Sequence, residues 1–176
     1  IRDRLRSRGL GDVYKRQVPI YMQFKLVLND TFDKYNCGEF DKKENDTISV
    51  SKSNFSHETD EVNVMISDTY PLSLSQLPEV KKNLPTLLIS RNNTNDVNRY
   101  DSPELVRCVV NEVRSLNNNI KKVNVYATTN PLNTKNIASS AFKLGGRDNF
   151  NEVRVFQQER DGIRNFNNKG IVVYKR

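Results

Sequence analysis

The chain has 176 residues, 36% of them hydrophobic and 28% charged, with 28 Lys and Arg against 21 Asp and Glu for a net charge of +7. That length suits one domain with a proper core, and no apolar run is long enough to span a membrane. The two cysteines, Cys37 and Cys108, fit no metal or redox spacing and point to a reduced, cytoplasmic setting.

Ile1 to Gln17, IRDRLRSRGLGDVYKRQ, reads as translated sequencing adapter, because its back-translation resembles a transposase-based library adapter codon for codon. No apolar core follows its charges, which excludes a secretory signal. Arg2, Arg4, Arg6, Arg8, Lys15 and Arg16 against Asp3 and Asp12 supply +4 of the net +7, leaving +3 for residues 18–176. The sequence pI of about 9.4 would suggest a nucleic-acid partner, but without the adapter charge that reading loses its footing. No nucleic-acid partner and no membrane association are expected.

Met22 to Leu28 (MQFKLVL) is a strand-like run, and Asp30 follows it closely. An acidic residue at the end of the second strand of a dinucleotide fold accepts hydrogen bonds from the ribose hydroxyls. A turn or helix cap is the alternative for Asp30. Residues 31–60 are polar, with a short strand at Ile48 and Val50, a solvated charge cluster around Asp41-Lys42-Lys43, and the lone histidine, His57, in a surface loop. Val62 to Ile66 reads as a strand, Pro71 and Pro78 punctuate a short helical connection, and Thr86 to Ile89 reads as a buried parallel strand.

Ser102-Pro103 starts a helix as cap and first-turn proline. Leu105, Val109, Val113 and Leu116 give it a core-facing stripe, with Cys108 buried and inert beside it. Val123 to Ala127 is the next strand, and Thr128-Thr129-Asn130-Pro131 turns from it into a helix that buries Ile137, Ala141 and Leu144 and closes at Gly145-Gly146. Val153 to Phe156 and Ile171 to Tyr174 are strands, with Asp161-Gly162-Ile163-Arg164 between them.

Strand, T-N-P-L-N, helix, strand and D-x-x-R, with Asp161 following Asn130 by 31 positions, resembles the lactate/malate dehydrogenase family. The resemblance implies an α/β fold: an incomplete Rossmann-like parallel sheet with flanking helices, its first strand and phosphate loop missing. It divides the chain into adapter (1–17), a truncated dinucleotide-binding domain (18–157) and the beginning of a catalytic domain (158–176). It implies NAD as cofactor, with Asp30 and Asn130 binding it, and a small 2-hydroxy or 2-oxo acid as substrate. Malate is preferred over lactate because Asn133 follows Pro131-Leu132.

In that family Asn130 and Arg164 would hold the substrate, Arg91 and Arg99 would be the loop arginines that close on its carboxylate, and Asp161 would be the catalytic partner of a histidine. The histidine and the phosphate loop do not occur, so residues 18–176 are expected to be inactive, and the full-length enzyme a homo-oligomer. The family's strand order places the missing strand centrally, between Met22–Leu28 with Val62–Ile66 on one side and the later strands on the other. A gap or non-native pairing is expected there. The alternative from another class is a noncatalytic Rossmann-like ligand-binding or interaction domain, in which D-x-x-R is coincidental.

Overall fold

A computed structural model describes residues 18–29, 37, 39–43, 45–56, 58–92, 99–143, 150–160 and 162–176. Among them, six strands form a single mixed sheet: β1 (Ile48–Ser53), β2 (Glu61–Ser67), β3 (Thr86–Arg91), β4 (Lys122–Ala127), β5 (Glu152–Phe156) and β6 (Ile171–Lys175), in the order β1-β3-β2-β4-β5-β6. The four inner strands are parallel, with Val64 of β2 opposite Leu87 of β3 and Val125 of β4. The two outer strands run antiparallel to their neighbours and close the parallel core on either side.

Alternation within each strand separates two cores. Val62, Val64 and Ile66 of β2, Leu87 and Ile89 of β3, Val123 and Val125 of β4, and Val153 and Val155 of β5 face the helices. Those helices are α1 (Ile20–Leu28), α2 (Pro103–Arg114) and α3 (Pro131–Ile137), the last continued by a π-helical turn over Ala138–Lys143. On the opposite face Met65, Tyr126 and Phe156 pack with Leu72, Leu77 and Phe166. Tyr126 stacks on Phe156 at 4.6 Å and meets Phe166 edge-on at 5.1 Å. Gly170 lies so close to the Phe156 ring that a Cβ there would come within 2.7 Å of it.

Two expectations are corrected. Met22 to Leu28 is a helix, not a strand: Pro19 precedes it, its carbonyl accepts the Met22 and Gln23 N–H groups, and the Asn29 backbone and side-chain N–H groups both close it on the Lys25 carbonyl. Its buried residues are Gln23, Phe24 and Val27, the last lying four and three positions after the other two on one helical face, and Phe24 packs on Phe142 with ring centres 5.8 Å apart. The gap is absent as well. Val62–Ile66, expected at the far edge, is central as part of β2 and pairs on both sides, so the parallel core is continuous.

The direction of the crossovers reverses at β2. The connection from β2 to β3 passes over one face through 3₁₀ turns at Leu74–Gln76 and Glu79–Lys81, whereas the connections after β3 and β4 place α2 and α3 on the other. The carboxyl ends of β2 and β4 are therefore adjacent, with their following segments leaving in opposite directions.

Candidate functional site

A cleft of about 450 Å³ opens at those two strand ends. Thr69 and Tyr70 line it after β2, Thr128 and Thr129 after β4, and Gln157 to Arg160 after β5, with Arg164 beyond. The two strand ends are stapled together. The Thr69 N–H and hydroxyl both donate to the Thr128 carbonyl, at 3.1 and 2.5 Å. The Thr128 hydroxyl donates to the Tyr70 carbonyl at 2.8 Å and accepts the Asp68 N–H at 3.2 Å. The Ser67 hydroxyl donates to the same Tyr70 carbonyl at 2.9 Å.

The segment after β5 folds back on itself. Glu159 N–H donates to the Asn165 carbonyl and Asn167 N–H to the Gln157 carbonyl, each at 2.8 Å, while Phe166 N–H reaches the Gln76 carbonyl at 3.0 Å. This excursion carries Arg160 and Arg164 to the cleft. The Arg164 guanidinium lies 4.4 Å from the centre of the Tyr70 ring. Among the described lining residues, Glu159 is the sole carboxylate, and no histidine, cysteine or lysine is present. The lining can hold a polar, anionic ligand, and it offers no paired acid and base.

Behind the cleft lies a buried ionic cluster. Arg91, 4% exposed, approaches Asp68 at 3.2 Å and Asp46 at 3.8 Å. Asp46 accepts the Ser102 hydroxyl at 2.6 Å. Asp68 accepts the Asn130 N–H at 3.1 Å and the Asn133 side-chain amide at 3.0 Å. Burial raises the Asp68 carboxyl above its ordinary value, and Asp46 adds to the rise; the Asn133 and Asn130 hydrogen bonds and the Arg91 charge oppose it without cancelling it. At the other end of the sheet, burial alone would raise Glu61, but hydrogen bonds from Lys81 and Asn124 and the Lys81 charge hold it below its ordinary value.

The residues proposed from sequence fall apart spatially. Asn130, 2% exposed, caps α3: its side-chain oxygen accepts the Asn133 N–H at 2.9 Å and its amide donates to the Tyr100 carbonyl at 2.8 Å. Arg91 ends β3 and belongs to the buried cluster rather than to a loop. Arg99 is exposed, and Arg164 lines the cleft. Asp30, His57 and Asp161 lie outside the described residues. Cys108 is half-buried, its thiol raised by desolvation and by Glu112, and it forms no disulfide with Cys37. Tyr70, Thr69, Gln158 and Arg160 were missed, although a polar Ser-Asp-Thr-Tyr run directly after an apolar strand marks a strand end of this kind.

Residues 6–173 match the family described as SUa-2TM, the SMODS- and Ubiquitin system-associated 2TM effector domain. The chain belongs to this family. Among the described residues no helix is long and apolar enough to cross a membrane, so the 2TM of the family's description has no counterpart in the helices seen here. No curated protein matches the chain. Its fold is similar to part of the Acinetobacter baumannii Cap4 SAVED/CARF-domain containing receptor. The structure with the cyclic trinucleotide 3'3'3'-cAAA superposes with a TM-score of 0.54 at 11% identity, over 77% of this chain and 28% of that one. The structure with 2'3'3'-cAAA gives 0.50 at 14% identity, over 77% and 28%. The chain thus spans little more than a quarter of the receptors it resembles, and at these identities the likeness concerns the fold.

Family membership overturns the dehydrogenase resemblance. With it fall NAD as cofactor, the 2-hydroxy or 2-oxo acid substrate, and the oxidoreductase roles given to Asp30, Asn130, Asp161, Arg91, Arg99 and Arg164. The structure supplies the physical reason: the strand that was to carry Asp30 is helix α1, and Asn130 is occupied on both sides of its amide within the protein. The exclusion of nucleic-acid ligands also loses its ground, since the Acinetobacter baumannii Cap4 receptor, similar in fold, is seen with two cyclic trinucleotides.

Proposed function

We propose that this chain is a noncatalytic ligand-binding domain that takes a cyclic oligonucleotide in the cleft at the ends of β2, β4 and β5. The observation that carries the reading is the position of the cleft, at the point where the crossover direction reverses, with Arg160 and Arg164 on one wall. Open α/β sheets of Rossmann-like logic bind ligands outside the carboxyl ends of their strands at such a point. Its volume lies within the roughly 300–1,000 Å³ typical of small-molecule sites. Polar groups along the cleft suit sugar and base edges, and arginine suits phosphodiesters. The two cyclic trinucleotides seen with the Acinetobacter baumannii Cap4 receptor support the same ligand class. A cytoplasmic place of action fits this reading, with Cys37 and Cys108 kept as thiols.

Titration calorimetry on the chain tests the reading with cyclic tri-adenylate, its linear counterpart and NAD. Saturable binding of the cyclic compound, with little heat from NAD, is the expected result. Binding of NAD in preference to every cyclic oligonucleotide would sink it.

A further inference from the structure

Arg164 holds a backbone conformation that suits it poorly. Its φ is 54°, in the left-handed region that glycine adopts freely and a side chain adopts at a cost. Two side-chain amides hold it there: Gln158 donates to the Arg164 carbonyl at 2.9 Å and Gln76 at 3.3 Å. The resulting strain sits on the wall of the cleft, and strained residues persist where the surroundings over-determine them, commonly at ligand clamps.

Tyr70, whose ring the Arg164 guanidinium overlies, is fixed as firmly. Tyr70 is 42% exposed, yet its backbone carbonyl accepts both the Thr128 and Ser67 hydroxyls, which anchors the ring beside the guanidinium. The separation of 4.4 Å between guanidinium and ring centre leaves no room for a nucleobase between them. Tyr70 in this arrangement is a platform for the arginine.

We infer that the Tyr70 ring positions the Arg164 guanidinium as the phosphate clamp of the cleft, and that the left-handed backbone at Arg164 is retained for this purpose. The inference rests on the ligand class proposed above. A guanidinium over an aromatic face presents its N–H donors as a planar fork, and a phosphodiester accepts two of them together. Arg160 adds a second positive charge on the same wall, and Glu159 sets a negative limit beside it. Holding the fork in place before the ligand arrives removes an ordering cost from binding. Tyr70 acts here through its ring and not its hydroxyl, because the attraction is to the ring face.

Three variants test this on the whole chain, with cyclic tri-adenylate as the probe at several salt concentrations and thermal unfolding measured without ligand. R164G removes the fork and relieves the left-handed strain. It is expected to weaken binding by about ten- to a hundredfold, the range for losing a charge-assisted hydrogen bond. Its salt dependence should fall by about one phosphate contact. Its melting temperature should stay level or rise, whereas a merely structural staple would lower it. Y70F should bind as wild type does, and Y70A should weaken binding in the direction of R164G. Wild-type affinity and salt slope in R164G, or equal losses in Y70F and Y70A, would overturn the clamp alone. A wild-type chain that binds no cyclic trinucleotide would overturn the clamp and the ligand reading together.

Discussion

Two polar regions meet at the carboxyl ends of β2 and β4, and their construction is opposite. Behind the strand ends, Arg91, Asp46, Asp68, Asn130 and Asn133 are buried and bonded to one another. In front of them, Tyr70, Arg160 and Arg164 line a cleft whose hydrogen bonds fix the backbone. Neighbouring residues are divided between the two regions: after β2 Asp68 goes inward and Tyr70 outward, and after β4 Asn130 goes inward while Thr128 lines the cleft. Charged and amide groups of the kind that draw attention in a sequence here build the frame. The cleft is lined by other residues at the same strand ends.

The largest effect should come from breaking the frame. Asp68→Ala would take from the buried Arg91 the carboxylate at 3.2 Å, would strip the Asn130 N–H of its acceptor and would leave the Asn133 amide with the Tyr100 carbonyl. Removing one partner of a buried ion pair costs about 3–5 kcal/mol. Urea denaturation should show a loss of that size. A loss under about 1 kcal/mol would mean that the cluster is not the scaffold described here.

Thr128 belongs to both regions, since its hydroxyl accepts from Asp68 N–H and donates to the Tyr70 carbonyl. Thr128→Val keeps the shape, takes from the Asp68 N–H this acceptor and leaves the Tyr70 carbonyl with the Ser67 hydroxyl, a cost of about 1–3 kcal/mol. It should therefore lower stability moderately and also weaken ligand binding, by loosening the platform under Arg164. A variant that changed stability with unaltered binding would show that the two regions are independent.

The sequence made much of the fold legible and little of the site. Val62–Ile66, Thr86–Ile89, Val123–Ala127, Val153–Phe156 and Ile171–Tyr174 are all within strands, because apolar runs of that length bounded by polar turns are hard to bury otherwise. Ser102-Pro103 starts α2 as expected, with the Ser102 hydroxyl accepting the Leu105 N–H. Met22–Leu28 went astray because a seven-residue apolar run suits a helix as well as a strand, and only packing of Phe24 and Val27 against the sheet decides it. Strand order was illegible, since it depends on which strands find each other across long connections. The motif pair misled for a related reason. Asn before Pro at a strand end makes a good helix cap wherever it occurs, so a cap was read as a ligand-binding asparagine. Tyr70 and Arg164 are 94 positions apart in the sequence, and nothing local to either announces that they meet.

The smallest effect concerns the charge of Asp68 itself, and it separates a frame that is strained electrostatically from one that is merely buried. The folded state raises the Asp68 carboxyl above its ordinary value of 3.8, so the folded chain holds that proton more tightly than the unfolded one. The associated stabilisation is complete below pH 3.8 and is lost as pH rises through the folded-state value. Glu61 works in the other direction, adding stability above its ordinary value of 4.5 that is lost on acidification, but it is common to both proteins in a comparison with Asp68→Asn. Asparagine keeps an acceptor for the Asn130 N–H and cannot ionise. The stability of wild type relative to Asp68→Asn should therefore decline as pH rises from the acid range toward neutrality, in urea titrations run at matched salt. A difference that stays flat would show that Arg91 fully compensates the carboxylate, and a difference that grows with pH would show that Arg91 more than offsets its burial.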